Sequence, residues 1–91
     1  MINPDRIFKL ADGISFQSLG VGEGAVVLEV ASGQLHTCND TTAEFLGALD
    51  GKRSFGDVIT LLEQRFEVGR DVLEKDMAEL ARQLVDERVI V

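Results

Sequence analysis

The chain holds one histidine and one cysteine, and they stand two residues apart, at His36 and Cys38. On a β-strand that spacing puts both side chains on one face. An imidazole beside a thiol has two chemical uses: a base with its nucleophile, or a pair of metal ligands. A structural zinc site needs four ligands, and beyond this pair the chain offers only carboxylates. The competing reading is that both residues simply line a sheet. Glu63, Glu67, Glu74, Glu79 and Glu87 read as solvated helix faces, and no two carboxylates are marked out by sequence as a general acid/base couple. Gly20, Gly22 and Gly24 form GxGxG. A phosphate loop needs a helix N-terminus after it, whereas here a strand follows, so these glycines read as a hairpin turn. The chemistry-bearing residues therefore point away from catalysis, and no metal or cofactor is expected.

The elements that position His36 and Cys38 follow from hydrophobic period. Ile14 and Phe16, with Leu19 beyond them, alternate with polar residues as a first strand. Ala25-Val-Val-Leu-Glu-Val30 is an apolar β-branched run and reads as a second. After the short turn Ala31-Ser-Gly33, Gln34–Cys38 alternates as a third, giving an antiparallel meander. From Asn39 the period becomes helical. Asn39-Asp-Thr-Thr offers several N-caps, and Thr41 with Glu44 has capping-box spacing. Thr42, Phe45, Leu46 and Leu49 share one face, and Asp50-Gly51 ends this helix. Ser54 caps a second helix with the stripe Phe55, Val58, Ile59, Leu62 and Phe66. After Gly69-Arg-Asp71, a third carries Leu73, Met77, Leu80 and Leu84. Val89-Ile-Val91 reads as an extended tail packing back on the core. The expected fold is α+β, a winged-helix-like βββααα with the sheet packed on three helices. Residues 1–13 are expected to be a loosely structured lead-in, and 14–91 the domain.

Composition narrows the function classes. With 91 residues the chain is long enough for one modest core. Nine Lys and Arg against 16 Asp and Glu give a formal charge of −7. Duplex-binding domains carry a basic face because phosphate neutralisation supplies much of their affinity, so nucleic acid is not an expected partner. Acidity also disfavours resting on an anionic membrane. No apolar run approaches the ~20 residues of a membrane span, and no secretory signal is visible. A lone cysteine excludes an internal disulfide and fits a reducing cytoplasm.

What remains is the sheet edge. An outer strand leaves backbone N–H and C=O groups without partners. Gln34–Cys38 carries no Lys and no Pro, two common devices that protect an edge. A peptide could add there as a strand, with the third helix as the opposite wall. The alternatives are an edge covered by the N-terminal segment and a homodimer through the same edge. A helix-turn-helix regulator is allowed by the fold outline and opposed by the charge.

The ordered run Leu35–Asn39, Thr42-Ala43, Leu46, Leu49, Asp50-Gly51-Lys52-Arg53-Ser54, Val58-Ile59, Leu62, Phe66-Glu-Val68 and Asp76 resembles the PqqD family, over about residues 14–91. These are small peptide chaperones of pyrroloquinoline quinone biosynthesis, and their fold recurs as the precursor-recognition element of many ribosomal-peptide-modifying pathways. Two positions depart from the family pattern: Cys38 stands where an aliphatic residue is usual, and Arg88 where Gly often precedes the terminal hydrophobics. The resemblance implies a non-catalytic domain that binds a precursor's leader segment beside the third strand. It then presents that segment to a modifying enzyme, commonly a radical S-adenosylmethionine enzyme. Mapped onto this chain, Gln34, Leu35, His36, Thr37 and Cys38 supply the strand contacts. Met77, Leu80, Ala81 and Leu84 are candidates for the helical wall. Met77 is favoured for the groove because methionine adapts to varied partners, and Leu80 and Leu84 are assigned more to the core. Proline at position 36 is expected to remove an edge donor and abolish binding.

Overall fold

The computed structural model describes residues 2–20 and 22–91. Met1 of the lead-in and Val21 of the glycine turn lie outside the described residues. Alternation and glycine turns give three strands, β1 (Ile14–Ser18), β2 (Ala25–Glu29) and β3 (Gln34–Cys38), in the order β1-β2-β3, antiparallel throughout. Leu19 falls beyond β1 and is exposed rather than part of the buried face. In register, Phe16, Val27 and His36 stand in line, as do Ile14, Glu29 and Gln34, and these rows share the core face. Gly24 opens β2 at φ +77°, and a Cβ there would lie 2.2 Å from the Cys38 carbonyl oxygen. Only glycine allows that approach, which ties the start of β2 to the end of β3.

Three helices follow: α1 (Asp40–Gly47), α2 (Phe55–Arg65) and α3 (Arg70–Asp86). Asn39 is the working cap of α1, its side-chain oxygen accepting the Thr42 N–H at 2.9 Å. The Thr41–Glu44 box is therefore not the start signal, and the helix ends at Gly47, short of Asp50. Asp50 instead folds the connection, its Oδ1 accepting the Lys52 and Arg53 N–H groups at 2.9 and 2.8 Å. Ser54 caps α2 as the spacing predicts, accepting the Asp57 N–H at 3.2 Å. Helix α1 packs across the sheet, and α2 packs on α3. Their stripes close one core around Phe45, Val58, Ile59, Leu62, Met77 and Val27.

The N-terminal segment is not loose. Phe8 is 1 % exposed and meets Phe55 edge-on, with ring centroids 6.2 Å apart. Ile7 bridges Ser54 and Leu10 bridges Ile90. The carbonyls of Arg6 and Pro4 accept the Phe55 and Gly56 N–H groups at 2.7 and 2.9 Å. Those are donors that the first turn of α2 cannot satisfy internally. The segment is held by backbone pairing that has no periodic signature in sequence. The C-terminal tail packs back as expected, with Ile90 in the core. Among the described residues, no helix is long and apolar enough to cross a membrane.

Candidate functional site

Beside β3 runs a groove of about 600 Å³. Its sheet side carries Gln34, His36, Thr37 and Cys38, and its helical wall is Leu80, Gln83, Leu84 and Glu87 of α3. Ile14, Val27, Leu46 and Val89 give it an apolar floor, and Asn39 and Thr42 flank the start of α1. The structure divides the nine strand and helix residues proposed from sequence as follows. Gln34, His36, Thr37, Cys38, Leu80 and Leu84 come together around the groove, while Leu35 sits on the outer sheet face, 61 % exposed. Met77 and Ala81 are buried in the core and do not line it.

The preference for Met77 over Leu80 is therefore reversed. At about 100° per residue, Leu80 lies about 60° round the helix from Met77, on the flank that also holds Gln83 and Glu87. The centre of the stripe faces the core and its edge faces the groove. Sequence reasoning missed Gln83 and Glu87 as lining residues. The available signal was that they share the Leu80 flank of an otherwise apolar stripe.

Hydrogen-bond alternation fixes which backbone groups of β3 are free. Leu19 N–H donates to the Gly24 carbonyl at 3.1 Å, and Val30 N–H to the Gly13 carbonyl at 2.9 Å. In an antiparallel ladder the bonding side alternates residue by residue. Positions 24, 26, 28 and 30 of the central strand thus bond β1, and Ala25, Val27 and Glu29 bond β3. Their partners are Cys38, His36 and Gln34, so the peptide groups of Leu35 and Thr37 point to the open edge. Proline at 36 would break the β2–β3 ladder rather than remove an edge donor. The position that tests the edge is Thr37.

Burial, and then the charge of Glu87, push the Cys38 thiol above its ordinary value. That is the opposite of what an activated nucleophile requires. Among the described residues, no three His, Cys, Asp or Glu side chains cluster as a metal site. The arrangement can do one thing readily: hold an extended chain along Leu35 and Thr37 while alternate side chains enter the groove.

The profile of the family described as Coenzyme PQQ synthesis protein D (PqqD) matches residues 24–90. The chain belongs to the PqqD family. The match takes in β2, β3 and all three helices, so both walls of the groove lie inside the PqqD region. A lasso peptide synthetase B1 solved in complex with the leader peptide is 31 % identical, with a TM-score of 0.76 over 92 % of this chain and 96 % of that one. TbiB1, solved in complex with the TbiA(beta) leader peptide, is 15 % identical, with a TM-score of 0.79 over 90 % of this chain and 93 % of that one, and shares the fold. Comparison with curated proteins finds no match.

Proposed function

We propose that this PqqD-family chain is a peptide-recognition domain that takes the leader segment of a ribosomally made precursor as a fourth strand on β3. It presents that peptide to a separate modifying enzyme, such as a radical S-adenosylmethionine enzyme, and does no chemistry itself. The observation that carries this reading is the open edge at Leu35 and Thr37 lying along the groove between β3 and α3. Support comes from the 31 % identical lasso peptide synthetase B1, which was solved with a leader peptide. The raised Cys38 thiol and the net charge of −7 count against the catalytic and duplex-binding alternatives.

The test is calorimetric titration with leader peptides, beginning with that of the synthetase B1, alongside hydrogen exchange. Binding should slow exchange at Leu35 and Thr37. Thr37→Pro should abolish binding while the helices stay folded, because proline removes one edge donor and leaves the inner ladder intact. Undiminished affinity in Thr37→Pro would sink strand addition at this edge.

A further inference from the structure

The groove has a sign. Glu29 and Glu87 both line it, and neither lysine nor arginine does. His36 is the one basic side chain in the lining. The two carboxylates are also free. Among the described residues, the ion pairs engage Asp50, Glu44, Glu63 and Glu74 with Arg53, Arg65 and Arg70, leaving Glu29 and Glu87 without a cation. Glu87 accepts one hydrogen bond, from the Gln83 side chain at 3.2 Å, which holds it on the groove flank of α3. Around these carboxylates the walls and floor are apolar, from Leu46, Leu80, Leu84 and Val27. A ligand that covers the groove would therefore strip water from two unpaired anions unless it brings a positive charge to them.

We propose that the groove is selective for peptide strands that carry a lysine or arginine at an even spacing from an apolar anchor, the cation meeting Glu29 or Glu87 and the anchor meeting Leu80 and Leu84. The even spacing follows from strand geometry: on a chain paired with β3, only every second side chain enters the groove. Lysine and arginine both suit the site because each reaches a carboxylate while its stem lies on apolar surface. An acidic residue at the same position would meet a like charge. This inference rests on strand addition at β3 and adds to it the chemistry of the strand that fits.

The experiment is selection from a display library of random linear peptides on the immobilised full chain, with four versions of the protein run in parallel. Peptides recovered on the wild type and lost on Thr37→Pro are edge binders. Among them, Lys and Arg should exceed Asp and Glu about fivefold at groove-facing positions at low ionic strength, the upper range for partly exposed ion pairs. The preference should fall as salt shortens the screening length. It should disappear in Glu29→Gln/Glu87→Gln, whose melting temperature reports that the fold is kept. It should persist in Glu67→Gln/Glu79→Gln, which removes the same net charge away from the groove. Thr37-sensitive binders with no cationic preference, or a preference that survives Glu29→Gln/Glu87→Gln, would overturn the inference alone. A preference lost equally in Glu67→Gln/Glu79→Gln would reduce it to bulk charge and overturn it too. If no peptide shows Thr37 sensitivity, strand addition fails and this inference fails with it.

Discussion

Lys9 and Val91 exchange both of their backbone hydrogen bonds: Lys9 N–H donates to the Val91 carbonyl at 3.1 Å, and Val91 N–H to the Lys9 carbonyl at 2.9 Å. This pairing holds the Lys9 segment against the Val91 segment, and Phe8, next to Lys9, is buried in the core against Phe55. Phe8→Ala should therefore destabilise the domain by about 3–5 kcal/mol, as for a buried aromatic anywhere else in a core. Arg6, whose guanidinium sits 4.5 Å over the Phe8 ring, is exposed, and Arg6→Ala should cost about 1 kcal/mol or less. Urea denaturation separates the two. A Phe8→Ala midpoint close to wild type would mean that the N-terminal segment is dispensable.

Arg88 is the one non-glycine residue with positive φ among those described, at 63°. It occupies the left-handed position of a Schellman motif closing α3, with Val89 N–H donating to the Leu84 carbonyl at 2.9 Å and Arg88 N–H to Val85 at 3.0 Å. The family resemblance flagged this position as one where glycine is usual, and the backbone gives the reason. Arg88→Gly should relieve the left-handed strain, partly offset by glycine's greater freedom when unfolded, for a net gain of about 0.5–1 kcal/mol. Arg88→Ala keeps the Cβ and should show no such gain. A melting temperature that does not rise in Arg88→Gly would contradict this reading of the helix end.

What was legible in the sequence was whatever repeats. The stripe Phe55, Val58, Ile59, Leu62 and the cap Ser54 specify α2 by period and local hydrogen bonding, and the glycines around Ala25–Glu29 punctuate the sheet. The segment around Phe8 was not legible, because two isolated bridges have no period and their partners, Ser54 and Ile90, are far along the chain. Of the groove, β3 was readable as an edge, but which of its amides are free depends on the phase of the β1–β2 ladder. That phase is set by the pairings of Gly13 and Gly24, not by anything in Gln34–Cys38. The division of α3 between core and groove was hidden for a similar reason. Leu80 and Met77 belong to one apolar stripe, and only the position of the sheet decides which flank stays open.

Asp50 accepts two backbone N–H bonds in the α1–α2 connection, from Arg53 and Lys52, and these hold its carboxyl below the ordinary value of 3.8. A depressed folded value means that the stabilisation is fully present above that ordinary value and is lost as pH falls through the folded one. Asp50→Ala should be less stable than wild type at neutral pH, and the difference should close in acid. Thermal melts across that range check the sign. A gap that widens in acid would refute it.

Cys38 reports the opposite shift from inside the groove. Burial comes first and the Glu87 charge second in pushing its thiol above 9.0. The unfolded thiol then ionises before the folded one as pH rises, so the folded state loses stability as pH climbs past the ordinary thiol value. At any fixed mildly alkaline pH, the native thiolate is scarcer than in the unfolded chain. Iodoacetamide should therefore alkylate native Cys38 more slowly than Cys38 in urea, and Glu87→Gln should speed the native reaction. Equal rates in wild type and Glu87→Gln would show that the carboxylate does not act on this thiol.

Leu80 and Met77 provide the sharpest separation of groove from core. Met77 is 3 % exposed and absent from the groove lining, whereas Leu80 is half-buried and lines it. Met77→Ala removes packed atoms from the core and should destabilise by about 2–5 kcal/mol. The fraction that remains folded should keep its affinity for a Thr37-sensitive peptide. Leu80→Ala leaves no enclosed cavity, because its outer side already faces the groove, so its stability penalty should be well below that of Met77→Ala. It does remove apolar surface that a peptide side chain would cover, which at about 25 cal/mol per Å² is worth roughly tenfold in affinity. Denaturation and peptide titration on the same two variants should thus rank them in opposite orders. If Met77→Ala lost affinity without losing stability, the wall of the groove would lie at the centre of the α3 stripe and not on its Leu80 flank.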